Sequence, residues 1–337
     1  MDYRNLGRSG VKVSPLCLGA WQFGLRTSEE ESFRLIDIAL EKGLNFMDTA
    51  NVYGSGLSET VIGKAFQANG QRQRWILATK FTGSMNAADP NARGVSRHHI
   101  IEACEASLRR LQTDYIDLYQ FHSPRSDAGI PIDESLRALD DLVRAGKVRY
   151  IGTSNFSGWH LVEALWAAKE HGLHRPISEQ PAYNLLDRRA ERELLPMARS
   201  YDIAIIPWSP LAQGFLAGKY RRSDANPAEA RLTAKVSATN GDHFVEAAFD
   251  LVELLAAIAQ EKGCTVSQLS LAWCVQQPGI SSAIIGPRTV EQLQDNLGAL
   301  EVSLTEADLQ RIDAINPPGE KIVHYHRADM APRARWT

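Results

Sequence analysis

A short apolar run followed by a helix-length amphipathic stretch recurs eight times along this 337-residue chain, and that alternation restricts the fold more than any other feature. The apolar runs are LCLG (16–19), LNFMDTA (44–50), WILATK (75–80), YIDLYQFH (115–122), VRYIGTSN (148–155), PISEQ (176–180), IAIIPWS (203–209) and SSAIIG (281–286). Stretches with helical periodicity separate them, beginning with SEEESFRLIDIALEKG at 28–43 and ending with TVEQLQDNLGAL at 289–300. Eight βα units close either into a (β/α)₈ barrel or open into a doubly wound sheet. The doubly wound alternative places a G-x-G-x-x-G turn after an early strand, and the chain has none there. The prediction is therefore an α/β fold, a (β/α)₈ TIM barrel, with residues 1–337 forming one domain.

Three segments fall outside the repeat. YRNLGRSGVKVSP alternates apolar and polar residues around Ser9-Gly10 and reads as an N-terminal β-hairpin lidding one end of the barrel. HFVEAAFDLVELLAAIAQEKG before the eighth unit and TEADLQRIDAI at 305–315 read as extra C-terminal helices packed outside it. Residues 221–243 are polar, small and aperiodic, which reads as a mobile loop after the seventh strand, placed to close over a ligand. Residues 318–337 read as an irregular C-terminal tail.

The net charge of −3 gives no electrostatic pull toward nucleic acid or an anionic membrane. No run approaches the length of a membrane span, and the N-terminus lacks an apolar signal core. Four cysteines with no C-x-x-C pair suit a reducing compartment, so the expectation is a cytoplasmic protein. Oligomeric state is not legible.

Barrel active sites lie where the strands end, at the C-terminal face. Here Asp48 ends the second strand, Lys80 the third, His122 the fourth, Ser154 and Asn155 the fifth and Gln180 the sixth, with Tyr53 in the loop after Asp48. Singly, each has an ordinary reading: Asp48 or Ser154-Asn155 as helix caps, Tyr53 as a loop aromatic, Lys80 as a surface charge. Together they suit carbonyl reduction, in which hydride arriving at carbon leaves an oxygen that must be protonated. A tyrosine with a pKa of about 10 is a poor acid unless a cation stabilises its phenolate. Lys80 supplies that cation, Asp48 holds it, and His122, neutral or protonated, donates a hydrogen bond to the carbonyl oxygen. Asp, His and Lys have no metal-ligand spacing here, so no metal is expected.

In this chain order the four residues resemble the tetrad of the aldo-keto reductase family, and DTANVYGSGLSETVIGKA resembles the family's segment around its Asp and Tyr. The resemblance implies Tyr53 as general acid, Lys80 as its partner, Asp48 as counter-ion and His122 as carbonyl orienter. It also implies an NADPH/NADP⁺ cofactor held without a dinucleotide fingerprint. Ser154, Asn155 and Gln180, with Asp48, then face the nicotinamide carboxamide. Trp208 stacks on the ring where a tyrosine is commoner, and Ser209, Pro210, Leu211, Gln213 and Gly214 form the pyrophosphate loop. Gly286 and Arg288, at the start of the last barrel helix, receive the 2′-phosphate, with Gln292 and Asn296 toward the adenine. Trp21, Phe23, Tyr53, Phe81 and His122 are expected to line the substrate mouth. The expected function is reduction of a small-molecule aldehyde or ketone. The alternative is a cofactor-binding regulatory or redox-sensing subunit resembling the potassium-channel β-subunits of the same family.

Overall fold

In the computed structural model, which describes residues 1–124, 129–220, 222 and 245–323, the apolar runs become the strands and the amphipathic stretches the helices between them. An antiparallel pair, β1 (Arg4–Asn5) and β2 (Lys12–Val13), leads into β3 (Leu16–Gly19). There follow α1 (Glu29–Glu41), β4 (Phe46–Asp48), α2 (Leu57–Asn69), β5 (Ile76–Phe81), α3 (Arg97–Leu111), β6 (Ile116–Phe121) and α4 (Ile132–Arg144). The second half continues with β7 (Val148–Ser154), α5 (Gly158–His171), β8 (Pro176–Gln180), α6 (Leu194–Ser200) and β9 (Ala204–Ile205). It ends with α7 (Glu246–Lys262), α8 (Val266–Gln276), β10 (Ala283–Ile285), α9 (Val290–Leu297) and α10 (Glu306–Ile315).

The eight strands β10-β3-β4-β5-β6-β7-β8-β9 form one parallel sheet. Its edges meet where Ser281 N–H donates to Ile205 O at 2.9 Å and Ile284 N–H to Pro207 O at 2.8 Å. The architecture is the expected (β/α)₈ barrel. On α4, Leu139 and Leu142 join the main core while Leu136 packs against Ala164, Ala167 and Ala168 of α5, and each leucine contributes about 2 kcal/mol of apolar burial. The helix starts are fixed locally, as where Ser28 accepts the Glu31 N–H ahead of three glutamates in the first turn of α1.

The hairpin closes the N-terminal end. Leu6 and Val13 join Cys17, Phe46, Ala78, Leu118 and Ala204 in a buried apolar cluster at the foot of the strands. Gly7 has φ +58°, and a Cβ there would fall 2.4 Å from Ile177 O, so only glycine passes this turn. The extra helices α7 and α10 pack against one another, tied by Lys262 to Asp308 at 2.7 Å.

Two local expectations change. The seventh strand is two residues long because Pro207 lacks an N–H for the ladder and Ser209 turns left-handed at φ 55°. The helix-period stretch at 188–201 breaks into a 3₁₀ turn (Arg189–Glu191) and α6, because Pro196 has no N–H to continue a helix from upstream and fits only the first turn of a new one; Arg188, ahead of the turn, bonds Glu191, Asp313 and the Asn316 carbonyl. Of the expected loop at 221–243 only Arg222 is among the described residues, where it pairs with Glu246 and Asp250 of α7. Of the tail, residues 318–323 are described, and Ile322 N–H pairs with Leu186 O at 2.9 Å; the rest lies outside the described residues. No helix among the described residues is long and apolar enough to cross a membrane.

Candidate active site

Alternation along the strands separates the barrel interior into layers. The inward face of β4, β5 and β6 carries apolar Phe46, Ala78 and Leu118; two residues further along each strand it carries a polar layer of Asp48, Lys80 and Gln120, staggered so that Lys80 pairs with Gln120 and Asp48 with Ala78. Gln180 on β8 and Ser154 on β7 complete this polar layer. All five are buried.

Lys80 Nζ, with no solvent exposure, donates to Asp48 Oδ1 at 2.5 Å, to Thr49 O at 2.8 Å and to the Tyr53 hydroxyl at 3.2 Å. Burial alone pulls a lysine's pKa down, but the charge of Asp48 and the bonds to Asp48 and Tyr53 outweigh it and hold the ammonium above its ordinary range. Asp48 is not a helix cap: its second oxygen accepts Gln120 Nε2 at 3.1 Å and Gln180 Nε2 at 2.8 Å. Tyr53 opens a Y-G-S-G turn that runs left-handed through Gly54, Ser55 and Gly56 into α2.

His122 meets Tyr53 edge-on, the ring centroids 5.7 Å apart at 82°. Burial and the Lys80 charge pull its pKa down to about 3, so of the two states the sequence left open the imidazole is neutral. Beside it, Asn155 Nδ2 donates to His122 O and to Ser154 Oγ, both at 3.1 Å, and Trp208 Nε1 donates to Asn155 Oδ1 at 3.1 Å. Ser154 Oγ in turn donates to Gln180 O at 2.8 Å. The capping alternative for this pair fails, because Ser157 is the N-cap of α5. Asn155 itself is left-handed, at φ 62°.

Glu179, next to Gln180 on β8 and paired with Thr153, is fully buried on the outer side of the sheet. Its Oε1 accepts the Phe156 N–H at 3.1 Å, and its Oε2 lies 2.5 Å from Thr153 Oγ1. Burial pushes this carboxyl up to about 8, against the opposing bonds from Thr153, Phe156 and Asn155. Thr153 Oγ1 is also 3.0 Å from Ser178 O, and a hydroxyl has one proton for two acceptors. A protonated Glu179 resolves this by donating to Thr153, which then donates to Ser178.

The Ser209–Gly214 loop has left-handed backbone at Ser209, Ala212, Gln213 and Gly214, the kind of turn that gathers N–H groups into anion-binding concavities. Asn184 Nδ2 pins it by donating to Ser209 O at 3.2 Å. Beyond it, Gly286 and Arg288 are exposed ahead of α9, and Gln292 Oε1 accepts the Arg288 N–H at 2.9 Å. Gln292, half-buried one turn before the buried Asn296 on α9, therefore shapes the Arg288 turn. Sequence reasoning missed Lys219. It lies alongside Gly214, and burial followed by the charge of Arg288 lowers its pKa, which places two cations at one end of the site.

Two of the aromatic residues expected at the mouth are elsewhere. Phe81 has no solvent exposure and packs on Tyr119 and Phe121, both at 4.9 Å, in the layer between sheet and helices. Its neighbour Lys80 takes the inward direction, so alternation sends Phe81 out. Phe23 is likewise fully buried in the main apolar core. Trp21 stays half-buried just past the top of β3, where Ala20 N–H bonds Asp48 O at 2.9 Å. Beside Gly54, the residue after Tyr53, lie the exposed Leu25 and Leu57, both within 3.2 Å of where a Cβ on Gly54 would stand.

Lys80 thus bridges an acid and a phenol at the C-terminal face of a parallel barrel. The sequence model of the Aldo/keto reductase family matches residues 15–317. An uncharacterized oxidoreductase of Bacillus subtilis, YrpG, is 43% identical over 330 residues, covering 95% of this chain and 97% of that protein. A probable voltage-gated potassium channel subunit beta of Arabidopsis thaliana is 38% identical over 322 residues, 94% of this chain and 96% of that one. A putative voltage-gated potassium channel subunit beta of Schizosaccharomyces pombe is 37% identical over 324 residues, 94% and 93% of the two chains. With the family model matching residues 15–317 and the relatives matching nearly its whole length, this chain belongs to the aldo/keto reductase family, as an oxidoreductase of that family.

Proposed function

We propose that this protein reduces an aldehyde or ketone to the alcohol with NADPH, reversibly, and that Tyr53 is the proton donor. The observation that carries the reading is the single ammonium of Lys80, held by Asp48 at 2.5 Å and aimed at the Tyr53 hydroxyl at 3.2 Å.

The residues present fit NADPH by their chemistry. Arg288 and Lys219 offer paired cations for phosphate, Ser209–Gly214 a left-handed loop, Asn155 and Gln180 amides for a carboxamide, and Trp208 a half-buried indole for stacking. When bound, the cofactor supplies hydride to the carbonyl carbon. The protein's task is the oxygen. Tyr53 gives its hydroxyl proton to the oxygen as negative charge develops there, and Lys80 stabilises the phenolate left behind. Asp48 keeps the ammonium charged and oriented in a buried place where burial alone would favour its neutral form. His122, being neutral, donates a hydrogen bond that aims the carbonyl without competing as the acid. All four cysteines are free thiols, three of them buried, which suits a reducing, cytoplasmic setting.

Loss of NADPH absorbance with a panel of aldehydes and ketones tests the reading: turnover well above buffer is expected. The relatives named as potassium channel subunits beta favour a second reading, a cofactor-binding regulatory or redox-sensing subunit. Tight NADPH binding with turnover no faster than buffer across the panel would select that second reading.

A further inference from the structure

At the rim of the site one residue has a backbone that its side chain does not suit. Thr82, directly after β5, is buried and has φ 90°, a region that glycine occupies freely and a β-branched residue enters only under strain. The β5–β6 ladder shows why the chain turns there. Its last rung pairs Phe81 with Phe121, so the next would set Thr82 against His122. The left-handed turn instead carries the Thr82 carbonyl away to the Gly94 N–H, at 2.8 Å, closing the 82–94 loop. The Thr82 side chain keeps the link to the neighbouring strand: its Oγ1 accepts the His122 N–H at 3.2 Å. A glycine would fit the backbone and leave His122 untethered.

We propose that Thr82 is the positioning residue for His122: its hydroxyl, held in place by the left-handed backbone, fixes the height at which the imidazole meets Tyr53. The proposal rests on the carbonyl-reductase reading above and names a component that the tetrad does not include. The tether also begins a chain of hydrogen bonds around the mouth. It runs from Thr82 to His122, from the His122 carbonyl to Asn155, and from Asn155 to the Trp208 indole. Thr82 therefore acts at the junction of the 82–94 loop, the residue that orients the carbonyl and the residues that face the nicotinamide.

The test uses the full chain with NADPH and three variants. Thr82→Ser keeps the acceptor; Thr82→Val keeps the branching and removes the acceptor; Thr82→Gly removes both the acceptor and the strain. Thr82→Val and Thr82→Gly should lose about 10- to 100-fold in kcat, the scale of a small misplacement of a reacting group, with NADPH affinity within about twofold of wild type. Thr82→Ser should restore most of the rate. Thr82→Gly should melt at or above the wild-type temperature while turning over slowly, an opposition that a merely structural role does not produce. Wild-type turnover in Val and Gly, equal losses in Ser and Val, or losses that track lowered melting temperatures would overturn the proposal. If wild type itself reduces no carbonyl, the functional reading fails separately. The imidazole resonances of His122 in the NADP⁺ complex, assigned with His122→Gln, then decide: a shift in Val and Gly but not in Ser supports the tether, and no shift in any of them refutes it.

Discussion

Replacing Glu179 with glutamine should make the protein more stable at neutral pH, although it alters a fully buried, hydrogen-bonded carboxyl. The folded protein keeps the Glu179 proton up to about pH 8, whereas the unfolded chain releases it near the ordinary value of 4.5. Between those limits the folded state binds the extra proton, so the stability this group contributes is complete below its unfolded pKa, declines as pH rises, and levels off once the folded pKa is passed. At about 1.4 kcal/mol per pH unit, the loss reaches about 3 kcal/mol at pH 7 and about 5 kcal/mol above the folded pKa. Glutamine mimics the protonated acid at every pH: its Nε2 can donate to Thr153 and its Oε1 can accept from Phe156 N–H. Urea unfolding of wild type and Glu179→Gln across the range from about pH 5 to about pH 9 should give curves that converge in acid and separate in base, with the variant above. Parallel curves, or a variant destabilised throughout, would mean that Glu179 is ionised in the fold and would refute the reasoning.

Arg288→Ala should weaken NADPH far more than NADH, by about 10-fold or more, since it removes a charge-assisted phosphate contact; equal losses in a fluorescence titration would misplace the 2′-phosphate. Lys219→Ala should weaken both cofactors if it serves the pyrophosphate, or NADPH alone if it shares the Arg288 site, and no effect on either would remove it from the site. Because the His122 imidazole stays neutral down to about pH 3, the rate should show no limb from its titration between about pH 5 and pH 8. An inflection in that range that vanishes in His122→Gln would contradict the neutral assignment.

The architecture was legible because strand and helix periods alternate with little interruption, and because polar residues ending apolar runs mark one face of a barrel. That rule put Asp48, Lys80, His122, Ser154, Asn155 and Gln180 at the strand ends, where the fold places them. Phe81 was misassigned for want of the second half of the rule: proximity to a strand end says nothing about which side a residue faces, and parity with Lys80 would have sent it outward. The same parity, counted back two from His122, would have found Gln120. Lys219 stood at the edge of a polar loop with no periodic signal, and the electrostatic proximity of Arg288 belongs to the fold alone. Thr82 was invisible for a different reason. Its backbone angle is set by where Gly94 and His122 draw the chain, and a Phe-Thr-Gly sequence does not announce a threonine at positive φ.

The central claim is that Lys80 makes Tyr53 the proton donor. Single-turnover reduction by the NADPH complex of Tyr53→Phe, compared with wild type at matched cofactor saturation, tests it most directly. The account predicts a loss of about 100- to 10,000-fold, the usual range for removing a general acid, with NADPH affinity nearly unchanged. Reduction at the wild-type rate would contradict it.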